Sequence, residues 1–168
     1  MPFHDEPLCE ESARYAITMR RFFPPLVRKR GELVAKGVVI SIIDDNASIR
    51  RALKRLIESI GLPAEDFASA EEFLVSCRSQ DSACLIVDLQ LPGMNGLELQ
   101  NQLHVSNPGV PLVFISAKFD EHARARALNA GAVEFLQKPF SEAALFAAIQ
   151  TSLSIRGSSV SAYVDHLR

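Results

Sequence analysis

The chain has 168 residues, a formal net charge of −2 and 48% hydrophobic residues, which suits one domain with extensions. It has neither the basic excess of a nucleic-acid-binding domain nor an apolar run of 18 residues, so we predict no direct contact with nucleic acid and no transmembrane helix. Its three cysteines, Cys9, Cys77 and Cys84, form no C-x-x-C pair, which favours a reducing compartment and a cytoplasmic protein.

The first 36 residues differ in character from the remainder. They contain four prolines and mixed charges, but no sustained apolar period. We therefore expect 1–36 to be an N-terminal extension, flexible or partly helical, with a short helix over 10–22. A docking or dimerising arm is the alternative.

Strand and helix patterns alternate from residue 37 onward. A β-branched run at 38–43 ends in Asp44-Asp45, and Asn46 can cap the helix that follows. Apolar residues of this helix recur at i, i+3, i+4 and i+7. Its basic residues lie on the other face: Arg50, Arg51, Lys54 and Arg55.

The same alternation continues along the chain. After the first strand, we predict strands near 63–67, 84–88, 112–115 and 133–136. A capping-box pattern at 69–72 opens the second helix, whose apolar face includes Cys77. Further helices are predicted near 95–106, near 120–130 and after Ser141.

This succession predicts an α/β fold. Five strands that alternate with five helices indicate a doubly wound parallel sheet with helices on both faces. We place this domain at 37–154 and a C-terminal tail at 155–168.

Polar side chains follow the carboxyl ends of four predicted strands. Asp44-Asp45, Asp88, Ser116 and Lys138 all lie just past a strand end. Each has an ordinary interpretation alone, as a capping acid, a turn hydroxyl or a solvated cation. Together they occupy the sheet edge where doubly wound folds bind ligands, which indicates a functional site.

The residue types point to phosphoryl transfer. Three clustered carboxylates repel each other, so a hard divalent cation such as Mg²⁺ suits them. One carboxylate can then act as a nucleophile toward phosphorus, while Lys138 neutralises the transferring group. Ser116 can donate a hydrogen bond to the phosphoryl group. The chain has no P-loop and no GxGxxG motif for nucleotides.

Residues 38–153 resemble the receiver domain of bacterial two-component response regulators, most closely the nitrogen-fixation regulator type. The matching motifs are Asp44-Asp45, the run Asp-Leu-Gln-Leu-Pro-Gly-Met-Asn-Gly at 88–96, Ser116-Ala117, Gly131-Ala132 and Lys138-Pro139-Phe140. The resemblance implies a flavodoxin-like strand order of 2-1-3-4-5.

The resemblance also implies roles at the site. Asp88 would be the phosphoacceptor, and Mg²⁺ would be bound by Asp44, Asp45, Asp88 and the backbone carbonyl of Gln90. Lys138 would contact the phosphoryl group, and the peptide bond before Pro139 would be cis.

A switch is implied as well. Ser116 would turn toward the phosphoryl group and Phe135 would move inward, changing the surface of the fourth helix, fifth strand and fifth helix. A plain core aromatic is the alternative for Phe135. Gln90 and Lys118 would flank the path of an attacking water and modulate dephosphorylation, in a direction we do not predict.

The implied partners are a sensor histidine kinase or phosphotransfer protein and a downstream protein, with a homodimer left open. The chain would catalyse its own phosphorylation and slow dephosphorylation, without being a conventional enzyme. A phosphatase or dehalogenase would want a second acid where Gln90 stands.

Fifteen residues follow Leu153, too few for a helix-turn-helix domain. We therefore expect a stand-alone receiver. The alternatives are the receiver part of a longer DNA-binding transcription regulator and a receiver-fold interaction module that works without phosphorylation.

Overall fold

A computed structural model describes residues 39–76 and 81–165, with side chains placed as far as Arg156. Its elements are β1 Val39–Ile43, α1 Ala47–Ser59, β2 Ala64–Phe67, α2 Ala70–Val75, β3 Ser82–Asp88, α3 Gly96–Ser106, β4 Leu112–Ser116, α4 Glu121–Asn129, β5 Glu134–Gln137 and α5 Glu142–Asp165. Two predictions lie outside the described residues: the extension at 1–36 with its helix at 10–22, and the place of Cys77 on the second helix.

The five strands form one parallel sheet in the order β2-β1-β3-β4-β5, which confirms the predicted fold. All seven residues of β3 are buried, because this strand lies in the middle of the sheet with helices on both faces. The carboxyl ends of β1, β3, β4 and β5 therefore meet at one edge, with Asp88 at its centre.

Alternating strand residues contribute to two hydrophobic clusters, one on each face of the sheet. Ile40, Ile42 and Ile86 pack with α1 and α5 on one face. Leu85 and Val87 pack with α2, α3 and α4 on the other. Full burial of each such side chain contributes roughly 1.5–3 kcal/mol, so these clusters hold the strand ends in place.

Side-chain caps fix where the helices begin. The cap predicted at Asn46 is present, Asn95 and Ser141 also cap their helices, and Asn95 forms a complete capping box with Glu98. The predicted box of α2 differs in one bond. The Ser69 hydroxyl accepts the Glu72 N–H, but the Glu72 carboxylate accepts the N–H of Ala68, one residue earlier than the pattern expects.

The last helix continues past the end predicted for the domain at residue 154. Its residues Leu145, Ile149 and Leu153 are buried, and the helix extends to Asp165. The Arg156 guanidinium donates to the Ser82 carbonyl at the start of β3, which ties this extension to the sheet. Gly157 costs about 1 kcal/mol relative to alanine in a helix and does not end it.

Among the described residues, no helix is long and apolar enough to cross a membrane.

Candidate functional site

Three predicted residues meet at the carboxyl edge of the sheet. The Lys138 Nζ lies 2.8 Å from Asp44 Oδ2 and 2.8 Å from Asp88 Oδ2. Asp44 is fully buried and Asp88 nearly so. Lys138 reaches them from the end of β5, where the Lys138–Pro139 peptide bond is cis, as the resemblance implied. Strands that are far apart in sequence thus bring one cation between two carboxylates.

Backbone amides orient both carboxylates. The Asn46 N–H donates to Asp44 Oδ1 at 2.8 Å, and the Gln90 N–H donates to Asp88 Oδ1 at 2.8 Å. In each aspartate one oxygen therefore meets the loop backbone and the other meets Lys138. These bonds satisfy the buried charges and fix the direction in which each carboxylate points.

The third carboxylate, that of Asp45, is exposed beside the other two. Asp44, Asp45 and Asp88 each offer an oxygen within 4.8 Å of the others. Lys138 offsets one of these three negative charges, which leaves a net negative site. Carboxylate oxygens are the ligands that Mg²⁺ prefers, so the donor set fits a hard divalent cation.

Burial and charge act differently on the two partners of the central ion pair. Burial raises the pKa of the Asp88 carboxyl above 3.8, although the Lys138 and Gln90 hydrogen bonds oppose it. Burial also works against the charge of Lys138, but hydrogen bonds to Asp44 and Asp88 outweigh it and raise the Lys138 pKa above 10.5. Both pKa values are raised, although this favours the neutral form of Asp88 and the charged form of Lys138. The charged form of Lys138 is favoured because it has two carboxylate partners. Lys138 therefore stays cationic at neutral pH.

Ser116 ends β4 next to this cluster. Its hydroxyl donates to the Lys118 carbonyl at 3.0 Å and accepts the Lys118 N–H at 3.3 Å, so it is engaged by the loop backbone. The Lys138 N–H donates to the Ser116 carbonyl at 2.7 Å, which sets the two residues side by side. The Lys118 side chain and Gln90 are exposed near the site.

Phe135 lies on β5 and faces the cluster under α2, α3 and α4. It is 7% exposed and packs at a tilt against Phe114, with ring centroids 6.3 Å apart. This position suits both interpretations of Phe135, the core aromatic and the switch aromatic, so its role stays a prediction.

The sequence interpretation missed Arg50. It was placed on the outward face of α1, yet its Nη1 donates to the Asp44 carbonyl at 2.6 Å and its Nε lies 3.3 Å from Asp66 Oδ2. Lys54 also contacts Asp66, at 3.1 Å. The sequence signal available for these ion pairs was the i, i+4 spacing of Arg50 and Lys54, opposite one acid on the edge strand.

Two residues around the loop after β3 were also missed. The Glu71 Oε1 on α2 accepts the Met94 N–H at 2.8 Å. At Gly96 a Cβ would lie 2.9 Å from the Asp88 carbonyl oxygen and 2.8 Å from the Phe114 ring, so only glycine fits there. Gly96 was noted as part of a motif, but its steric reason was visible only in the fold.

Comparison with known proteins agrees with this geometry. The family model described as response regulator receiver domain matches residues 40–150. The response regulator protein TodT of Pseudomonas putida is 41% identical over 120 residues, which cover 71% of this chain and 53% of TodT. The transcriptional regulatory protein FixJ of Azorhizobium caulinodans is 34% identical over 118 residues, which cover 70% of this chain and 56% of FixJ. The chain spans about half the length of these curated relatives.

Solved structures are similar as well. The response regulator StyR superposes with a TM-score of 0.71 at 39% identity, covering 77% of this chain and 66% of StyR. The structure called FixJ-N gives a TM-score of 0.64 at 29% identity, covering 70% of this chain and 94% of that one.

Proposed function

The chain belongs to the response regulator receiver domain family, and from this premise we propose that it is a signalling switch phosphorylated on Asp88. The phosphoryl group would come from a sensor histidine kinase or a phosphotransfer protein in the cytoplasm. One observation carries the proposal: Lys138 lies 2.8 Å from both Asp44 and Asp88 at the carboxyl edge of the sheet, next to Asp45.

We assign the metal site to Asp44, Asp45, Asp88 and the backbone carbonyl of Gln90. Mg²⁺ bound there would supply positive charge to the oxygens of the incoming phosphoryl group. Two observations support the assignment: the carboxylate oxygens lie within 4.8 Å of one another, and the Gln90 amide is bonded to Asp88.

The side chains perform the transfer by positioning and charge. An Asp88 oxygen forms a bond to phosphorus while the bond from phosphorus to the donor's imidazole nitrogen breaks. Lys138, already in contact with Asp88, neutralises an oxygen of the transferred group. The Gln90 N–H keeps the Asp88 carboxylate from rotating away during the reaction.

Ser116 and Phe135 would convert phosphorylation into a change of surface. The Ser116 hydroxyl would leave the Lys118 backbone and donate to the phosphoryl group, a charged and therefore stronger acceptor. Phe135 would move into the space that Ser116 leaves. This would shift the population of states of the α4–β5–α5 surface, defined by Glu121–Asn129, Glu134–Gln137 and Glu142–Asp165.

We further propose that the α4–β5–α5 surface passes the signal to a component that controls transcription. The support comes from the relatives, which include the transcriptional regulatory protein FixJ and the DNA-binding transcriptional regulator NtrC of Salmonella typhimurium. The recipient would be an output domain, a separate protein or a second copy of this chain.

Intact-mass spectrometry tests the phosphorylation itself. Incubation with acetyl phosphate and Mg²⁺ should add one phosphoryl group to the wild type, and none to Asp88→Ala. Asp81→Ala is the matched control, because Asp81 is an exposed acid just before the other end of β3, and it should be labelled like the wild type.

The remaining outcomes separate the alternatives. An unchanged mass at saturating donor would favour the interaction module that works without phosphorylation. Full labelling of Asp88→Ala would move the acceptor to another residue.

A further inference from the structure

The loop that carries Gln90 is held firmly at its two ends. We call residues 89–95 the acceptor loop. At its start, the Leu89 N–H donates to the Ile115 carbonyl at 2.9 Å. At its end, the Gly96 N–H returns to the Leu89 carbonyl at 3.1 Å. These bonds close the loop at its base.

A side chain from α2 holds the second half of the acceptor loop. The Glu71 Oε1 accepts the Met94 N–H at 2.8 Å. The same oxygen lies against Gly93, where an added Cβ would be 2.6 Å away. Gly93 has a φ of +76°, a conformation that glycine adopts without strain. The carboxylate and the glycine thus fit each other.

Glu71 is well placed to be a fixed anchor. It lies in the first turn of α2, where Ser69 caps the helix. Its neighbours Ala70 and Phe73 are fully buried, so α2 is fixed to the sheet while Glu71 itself remains exposed. The hydrogen bond from the Met94 N–H is the largest of the influences that hold the Glu71 pKa below 4.5, because it favours the ionised carboxylate.

We propose that Glu71 is a positioning residue that sets the path of the acceptor loop and thereby the place of the Gln90 carbonyl. The inference rests on the proposed function, because it concerns the Mg²⁺ ligand set assigned there. A ligand that is held in place before the ion arrives binds it more tightly than a ligand that must first be ordered. Glu71 would therefore strengthen Mg²⁺ binding without touching the ion.

Calorimetric titration of the unphosphorylated protein with Mg²⁺ tests this inference. We expect Glu71→Ala to weaken Mg²⁺ binding by about tenfold, in the range of residues that support metal ligands. Glu71→Gln should be intermediate, since its amide oxygen is a neutral acceptor. Glu72→Gln is the matched control, because Glu72 is an adjacent carboxylate that accepts the Ala68 N–H instead of a loop amide, and its affinity should equal that of the wild type.

Nuclear magnetic resonance reports the contact independently of metal binding. In the wild type without Mg²⁺, the Met94 amide proton should titrate with the Glu71 carboxylate, below the usual pH range of a glutamate. Glu71→Ala should abolish this titration, whereas Glu72→Gln should leave it intact.

Gly93→Ala breaks the same contact from the opposite side, because its Cβ would push the Glu71 carboxylate away. It should weaken Mg²⁺ binding in the wild type and weaken it less in Glu71→Ala. Additive effects of the two substitutions would overturn the positioning role of Glu71, and so would a Glu71→Ala variant that binds Mg²⁺ as tightly as the wild type. Neither result would affect the proposed function. A wild type that neither binds Mg²⁺ nor accepts a phosphoryl group would overturn the proposed function together with it.

Discussion

Asp66 is the residue that ties α1 to the edge strand β2 behind the predicted metal ligands. Burial works against its charge, but the hydrogen bonds and charges of Lys54 and Arg50 outweigh burial and hold the Asp66 pKa below 3.8. Since the same Arg50 also donates to the Asp44 carbonyl, Asp66 indirectly fixes the backbone of the site. This small cluster therefore contributes to the stability of the fold and also to the position of Asp44, a proposed metal ligand.

The Asp66 cluster predicts a pH-dependent loss of stability. A carboxyl whose pKa is lower in the folded state stabilises above its unfolded pKa, and this contribution disappears as the pH falls through the folded value. Asp66→Asn should therefore lower the free energy of unfolding at pH 7 by about 0.5–1 kcal/mol, the upper range for a partly exposed ion pair. Urea unfolding between pH 7 and pH 3 would measure this.

Glu121→Gln is the matched control, because the Glu121–Arg124 pair that it alters is exposed, with its atoms 3.4 Å apart. It should unfold like the wild type. An Asp66→Asn deficit that is as large at pH 3 as at pH 7 would contradict the electrostatic explanation.

Cys84 should be unreactive in the folded protein. Burial raises the pKa of its thiol from 9.0 to about 12, although a hydrogen bond with Ser152 opposes the shift. The thiolate is the nucleophile, so both access and ionisation are suppressed. Iodoacetamide at pH 8 should label Cys84 in urea but leave it unlabelled in native buffer, as peptide mapping would show. Rapid native labelling would contradict the described burial.

Single residues differed in how well the sequence predicted them. Asp44, Asp88 and Lys138 could be placed together because parallel strands end at a common edge, and each residue follows a strand. The bond of Arg50 to the Asp44 carbonyl and the bond of Glu71 to the Met94 N–H could not be predicted, because both partners are backbone groups. Every residue carries such groups, so no sequence pattern marks them, and charged residues on a helix surface are usually solvated.

At the level of elements, the start of α3 is closely packed beside the site. Gly96 begins this helix while its backbone lies against β3 and β4. Alanine is normally the better helix residue by about 1 kcal/mol, so an ordinary helix position would gain from the change. Here the Cβ would meet the Asp88 carbonyl and the Leu89 Cα, neither of which can rotate away.

Gly96→Ala should therefore destabilise the protein by roughly 1–3 kcal/mol, the usual cost of overpacking a core. It should also slow phosphorylation by acetyl phosphate, because Asp88 shares the displaced backbone. Gly109→Ala is the control: Gly109 has a φ of +95° with open space around it, so only stability should fall. Urea unfolding and the labelling rate measure the two effects, and an unchanged labelling rate in Gly96→Ala would contradict the link.

The strands were predictable as elements, and the helix boundaries less so. β1 and β3 were evident because nearly all their residues are buried and apolar. The apolar pattern of α3 was weak because its buried Gln100 donates to the Ala127 carbonyl of α4 at 3.0 Å, a polar contact inside the core. The extension of α5 was missed because the apolar spacing ends at Leu153, before the contact of Arg156 with the sheet.

At the scale of the whole molecule, the fold separates structural support from chemistry. The two hydrophobic clusters hold the faces of the sheet, and the charged residues gather at one edge. The α4–β5–α5 surface shares β5 with this edge, since Lys138 follows that strand directly. Under the proposed function, a change at Asp88 would therefore reach this surface through Ser116 and Lys138.

Chemical localisation of the phosphoryl group tests the central claim most directly. Borohydride reduces an aspartyl phosphate to homoserine, and peptide mapping then identifies the modified position. After incubation with acetyl phosphate and Mg²⁺, we predict homoserine at position 88 alone, and none when Mg²⁺ is removed by a chelator. Homoserine at position 44 or 45, or none at any position, would contradict the account.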